Sequence, residues 1–327
     1  MNDKFLKFES ILGELMNEFI EEKRCVGYKF QKEVATLKRF DSLIEEKGLK
    51  ELSLPKELVI VWAEKTPNEE NTNRRNRISI VRGFAKYMAR LGYDAYIMPK
   101  STIKINRYSY IPYIFSEEEI KIIFNICDNY PISKCSPNRH IMIPILFRIL
   151  YSCGLRISEA LNLTYKDVDL EEGTLFISDT KFGKERIVPM SKRLTEYCRV
   201  YITESTSNKV NNSIFFPSPY GGCYDPSTIY QLFRKILWQA GISHTGKGPR
   251  LHDIRHTFAV HCLKKWVLNG DDLNNRLPYL SSYLGHVDLR GTQHYLRLTA
   301  DLYPDIIAKV EQSFSSLIPE VLYYETD

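Results

Sequence analysis

From residue 4 to 24 the chain sets Phe5, Phe8, Leu12, Leu15, Met16 and Phe19 at helical spacing, with polar residues between them. Val34, Leu37, Phe40 and Ile44 repeat that pattern over residues 30–48, and Gly48 is placed to end the helix. Pro55 suits the first turn of a third helix. A fourth is expected from Asn73 to Leu91, closed by Gly92, with Arg82, Lys86 and Arg90 on one face. Residues 1–98 therefore read as a small all-helical domain. The stretch 99–115 holds cations, prolines and little periodicity, and reads as a basic interdomain linker. Ser116 with Glu119 matches a capping box that opens a second domain over 116–327.

That second domain is predicted to be mainly helical, with one small antiparallel β unit. Ile141–Leu150 reads as a buried helix. Thr174–Ser178 and Glu185–Met190 read as strands joined through Thr180-Lys181-Phe182-Gly183-Lys184. A last amphipathic helix carries Ile306, Ile307, Val310, Phe314 and Leu317.

Composition narrows the function. At 327 residues there is room for two cores, and no apolar run of about 20 residues exists to span a membrane. The N-terminus lacks an export signal, and seven scattered cysteines without a CxxC pair fit a reduced, cytoplasmic protein. Charge is uneven. Between Asn71 and Pro112, nine cations (Arg74, Arg75, Arg77, Arg82, Lys86, Arg90, Lys100, Lys104 and Arg107) face only Asp94. This local +8 leaves −3 for the remainder of a chain of net charge +5. So focused a basic segment is the footprint of a polyanion partner.

The candidate chemistry lies later. Arg156 stands in Gly154-Leu155-Arg156-Ile157-Ser158-Glu159, at a predicted helix start, where a guanidinium can fork onto phosphate oxygens. The plainer reading is a surface ion pair with Glu159. His252 and Arg255 share a helical face three residues apart. A zinc site on His252, His256 and His261 would need Glu after the first histidine. Asp253 stands there, and Arg255 would repel a cation. His256 and His261 read as packing residues or as supports behind the site residues. Gly285-His286 is followed by Tyr295, a phenol that becomes a nucleophile only in a strongly cationic field or beside a base. Taken alone, Tyr295 is one of 21 tyrosines. By itself Lys181 would be an ordinary exposed lysine in a turn; the run Thr-Lys-x-Gly-Lys-x-Arg-x-Val-Pro raises it to a candidate for protonating a leaving oxygen, with Lys184 its rival on spacing alone.

In this order the motifs resemble the tyrosine recombinase (phage integrase) family over about residues 113–300, and more weakly over 1–98. The resemblance implies a helical core-binding domain ahead of a catalytic domain of mixed helical fold. It puts the two catalytic arginines on Arg156 and Arg255, the general base on His252 and the hairpin lysine, the general acid, on Lys181. The second histidine position falls on His286, the nucleophile on Tyr295, and Glu159 on an acidic position that orients the first arginine. The segment Trp266–Tyr279 is longer and more polar than the family pattern. The implied activity is site-specific recombination through a 3′-phosphotyrosine, without metal, ATP or cofactor. Double-stranded DNA is the expected partner, with a homotetramer on paired sites and a Holliday junction intermediate. The mobile-element setting fits such an enzyme. Arg74, Arg75, Arg77, Arg82, Lys86, Arg90, Lys104 and Arg107 are the expected DNA contacts. Two other functions compete: a catalytically silent DNA-binding accessory protein, and a type IB topoisomerase-like relaxing enzyme.

Overall fold

Asp41 shapes the segment just ahead of the first described helix. Its carboxylate accepts the backbone N–H of Glu9 at 2.7 Å and of Ser10 at 3.1 Å, which holds this segment in a turn. The first helix therefore starts later than its apolar periodicity predicts. In the computed structural model it is α1 (Gly13–Cys25), and Phe8 packs on the core from outside it. The structure describes residues 7–100, 111–178, 185–205, 210, 212–246, 248–286, 292, 295, 296, 298 and 299. The chain divides into two compact units, residues 1–110 and 111–327.

The first unit is helical. After α1 come α2 (Gln31–Lys47), α3 (Lys56–Ala63) and α4 (Asn71–Arg90). Gly48 ends α2 at φ 63°, a left-handed conformation that costs glycine little. Pro55 caps α3. Phe19, Leu37, Phe40, Ile44, Val81, Phe84 and Met88 fill a core that belongs to this unit alone.

The second unit begins earlier than the sequence suggests. Phe115, read as linker, is fully buried in the second core, and its N–H donates to Thr257 Oγ1 at 3.1 Å. The Tyr113 hydroxyl donates to Glu119 at 2.5 Å. Two aromatic side chains thus draw the end of the expected linker into the second unit. Ser116 and Glu119 form the reciprocal capping box at the start of α5 (Glu117–Asp128).

Helices α6 (Arg139–Ser152) and α7 (Ile157–Asn162) follow, and then a three-stranded antiparallel sheet. Its strands are β1 (Val168–Asp169), β2 (Thr174–Ile177) and β3 (Arg186–Pro189). The register pairs Val168 with Leu175, and Leu175 with Val188. Alternation buries Leu175, Ile177 and Val188 and turns Phe176 and Ile187 outward. At two residues, β1 is too short for periodicity to reveal. The unit is completed by α8 (Lys192–Glu204), α9 (Pro226–Gln239), α10 (Asp253–Leu268) and α11 (Leu273–Leu284). Asn269–Asp272 separates the last two, inside the stretch the sequence marked as unusual. The tip carrying Lys181, Gly183 and Lys184, the linker residues Lys104 and Arg107, and the helix expected over 306–317 lie outside the described residues. Among the described residues no helix is long and apolar enough to cross a membrane.

Candidate active site

Two chain reversals build the site. Gly154, after α6, has φ 56°, and Gly285, capping α11, has φ 66°. These left-handed turns present backbone carbonyls from helix ends, where the macrodipole is negative. The arginines take them. Arg255 donates to the Gly154 carbonyl at 2.7 Å and to the Leu284 carbonyl, and Arg156 donates to the Gly285 carbonyl at 3.2 Å.

Glu159 binds the guanidiniums to one another. On the first turn of α7, its carboxylate accepts Arg156 Nη1 at 2.6 Å and the Arg156 backbone N–H at 2.9 Å. It also accepts Arg186 Nη2 at 2.8 Å, and Arg255 Nη1 stands 3.9 Å away. Burial alone would raise the Glu159 pKa. The bonds from Arg186 and Arg156 reverse this and hold the carboxyl at about 2. The carboxylate is thus the common counter-ion of three cations. Arg186, on β3, also donates to the Tyr283 carbonyl at 2.9 Å. Sequence reasoning left Arg186 aside, and its only signal was its place in the Lys-x-Arg-x-Val-Pro run closing the β unit.

Arg255 is 2% exposed, the largest fully buried side chain of the molecule's described part. Desolvation, then repulsion from Arg156, lowers its pKa to about 10, so it stays charged at neutral pH. His252, at the N-cap of α10, keeps part of its surface in solvent, while its ring packs edge-on against that of His256. Reduced hydration of its ring, with Arg255 and Arg156 nearby, lowers its pKa to about 4, so its imidazole is neutral at physiological pH. His286 hydrogen-bonds Thr292 Oγ1 through Nδ1 at 2.9 Å.

Tyr295, in helical backbone, is 3% exposed. Its ring lies nearly parallel to that of His286, centroids 5.9 Å apart. Desolvation raises the phenol pKa, while a hydrogen bond and charge from Arg255, and charge from Arg156, oppose that rise. Its hydroxyl also lies 3.1 Å from Nδ1 of His256, a residue read from sequence as packing or as a support behind the site. Five of the six predicted catalytic residues (Arg156, His252, Arg255, His286 and Tyr295) therefore meet in one site with Glu159. Lys181, the sixth, lies outside the described residues. Among the described residues no group of three His, Cys, Asp or Glu is arranged to hold a metal ion.

The expected DNA face is less uniform than its charges suggest. Arg77 is a correction: it is 7% exposed and faces inward. Its Nε donates to Glu69 at 2.6 Å, its other nitrogens bond the Trp62 and Glu64 carbonyls, and its guanidinium lies 5.1 Å over the Trp62 ring. A half-buried carboxylate and two carbonyls outcompete solvent for this arginine. Arg74 donates to the Ala63 carbonyl at 2.8 Å and Arg82 to the Met98 carbonyl at 2.7 Å, each half-buried. Arg75 is half-buried, Lys86 is exposed, and Arg90 pairs with Glu22 on the surface.

Residues 114–301 match the family model described as phage integrase family. The putative integrase/recombinase y4rB of Sinorhizobium fredii is 30% identical over 312 residues, covering 93% of this chain and 98% of its own. Tyrosine recombinase XerA of Pyrococcus horikoshii is 28% identical over 204 residues, covering 62% of each chain. The XerH site-specific recombinase, in a post-cleavage complex with a palindromic difH substrate, superposes with a TM-score of 0.62 at 21% identity. That match covers 86% of this chain and 79% of XerH.

Proposed function

This chain belongs to the phage integrase family, whose members are tyrosine-type site-specific recombinases, and we propose that it cleaves and rejoins duplex DNA through a 3′-phosphotyrosine on Tyr295. The observation that carries this reading is the convergence on one phenol of Arg255, Arg156 and His286, drawn from three distant segments.

In the proposed reaction Tyr295 attacks the scissile phosphate and a 5′ hydroxyl leaves. Arg156 and Arg255 neutralise the non-bridging oxygens as charge builds on the phosphorane, and preorganised guanidiniums need no reorganisation at that moment. The glycine turns and Glu159 supply the preorganisation. His286 flanks the phenol, His252 faces the phosphate, and Lys181 protonates the departing 5′ oxygen. The bond energy is kept in the phosphotyrosine, so rejoining requires neither ATP nor a metal. Four protomers on paired sites would exchange strands through a Holliday junction, and a mobile element is the setting that suits such exchange. The domain boundary is proposed between the helical unit, as a DNA clamp, and the catalytic unit, with Arg74, Arg75, Arg82, Lys86, Arg90, Lys104 and Arg107 contributing to binding.

Inverse PCR across excised-circle junctions in the host tests this. Junctions are expected with the wild-type protein and are lost with Tyr295→Phe. Junctions that persist in Tyr295→Phe would overturn the nucleophile assignment and favour an accessory role. Efficient relaxation of a plasmid without those junction sequences would favour the topoisomerase-like alternative.

A further inference from the structure

A phenol must shed its proton as it attacks phosphorus, and that proton needs a base within hydrogen-bond reach. Among the described residues, His256 offers such a group. Its Nδ1 stands 3.1 Å from the Tyr295 hydroxyl, and the two rings lie 5.4 Å apart at 55°. His256 sits on the first turn of α10, one residue after Arg255, so the helix that anchors the buried guanidinium also fixes this imidazole. His252 meets the His256 ring edge-on, centroids 4.8 Å apart. Desolvation of its ring, then the Arg255 and Arg156 charges, make His252 a poor proton acceptor.

We propose that His256 Nδ1 is the proton acceptor for Tyr295, a catalytic residue of the cleavage step, and that His252 instead donates to a phosphate oxygen. This rests on Tyr295 being the nucleophile, as read above. As the Tyr295 oxygen bonds to phosphorus, its hydrogen passes to Nδ1 and His256 becomes an imidazolium. The bond from phosphorus to the 5′ oxygen breaks, and that oxygen takes a proton from the general acid, Lys181. In rejoining, a 5′ hydroxyl attacks phosphorus and returns its proton to the general acid. The phosphotyrosine bond breaks, and the imidazolium restores the phenol. No proton is gained or lost over the cycle. The role requires His256 to rest with its hydrogen on Nε2, leaving Nδ1 open to accept.

Two measurements test it. The first needs no DNA: long-range 1H–15N correlation spectra of the full-length protein labelled in histidine, with His256 assigned by its loss in His256→Asn. An unprotonated Nδ1 that shifts in Tyr295→Phe is expected, and a resting Nδ1–H overturns the proposal. The second follows covalent protein–DNA adducts on denaturing gels, using a nicked duplex that carries the junction sequence recovered from the host. Wild type should form the adduct and Tyr295→Phe should not; wild type forming none defeats the nucleophile reading itself. His256→Asn keeps a hydrogen-bonding group near the Nδ1 position but cannot take the proton. It should slow adduct formation by about 10²–10⁴-fold, the usual range for losing a general base, with duplex affinity preserved. A slowing of less than tenfold, in a wild type that does form the adduct, overturns the role of His256 and leaves Tyr295 standing.

Discussion

Glu159 is the carboxylate shared by three of the site's guanidiniums. It is 8% exposed and lies against three guanidiniums, two of them proposed to hold the scissile phosphate. Removing one partner from a buried charge network costs about 3–5 kcal/mol, so Glu159→Ala should destabilise the fold by that order, measured by chemical denaturation. The pH dependence has a definite sign. With a folded pKa of about 2 against an ordinary 4.5, the carboxylate contributes stability fully above pH 4.5 and loses it as pH falls toward 2. Glu159→Gln should flatten stability across that window. His252 acts higher up: its folded pKa of about 4 lies below the ordinary 6.5, so the unfolded chain takes up the proton first. Stability should fall as pH drops from 6.5 toward 4, and less steeply in His252→Asn. Unchanged slopes in both variants would contradict these assignments.

The elements that matter most for the site are the two left-handed turns, because each does two jobs at once. At Gly154 a Cβ would lie 2.5 Å from Phe258 Cδ1, and the backbone already sits at φ 56°. Left-handed backbone costs a side chain about 1–2 kcal/mol, and overpacking adds about 1–3 kcal/mol. Gly154→Ala should therefore lose roughly 2–5 kcal/mol in denaturant melts and release the carbonyl that anchors Arg255. At Gly285 the added carbon would meet Arg186 Nη1 at 2.8 Å, disturbing the link from β3 to Glu159. Much of this scale was legible in the sequence, where local chemistry dictates local shape: Gly48 ended its helix, Pro55 capped the next, and Ser116 with Glu119 opened the second unit. Arg156, His252, Arg255, His286 and Tyr295 were legible only as an ordered set resembling a known family, not from any one local motif, and the fold brings these five side chains together. What stayed hidden depended on partners distant in sequence. Asp41 holds back the start of α1 from 31 and 32 residues away. Thr257 fixes Phe115 across 142 residues, and Arg186 reaches Glu159 across 27. His256 could be read only as packing or as a support behind the site, because its partner lies 39 residues on, in a segment whose periodicity says nothing of a phenol.

Charge at the scale of the whole molecule must be sorted by what each cation already holds, and Arg77 and Lys86 make the comparison sharp. Each is a single positive charge on α4, and each loses it on mutation to alanine. Lys86 is exposed, so its neutralisation should leave stability within about 0.5 kcal/mol, as for an ordinary surface change. If Lys86 meets a phosphate, the slope of log binding constant against log salt should shrink by about 0.9 per lost contact. Arg77 predicts the reverse. Its guanidinium holds Glu69 at a pKa of about 2 and closes two carbonyls, so Arg77→Ala leaves a half-buried carboxylate and two carbonyls unpaired and should cost about 1–3 kcal/mol. At a temperature where the variant is still folded, its salt slope should match wild type, because that charge already has its counter-ion inside the fold. The pair is measured by fluorescence anisotropy on a labelled duplex at several salt concentrations, beside urea melts. A salt slope reduced in Arg77→Ala and unchanged in Lys86→Ala would reverse the assignment and move the DNA-facing side of α4.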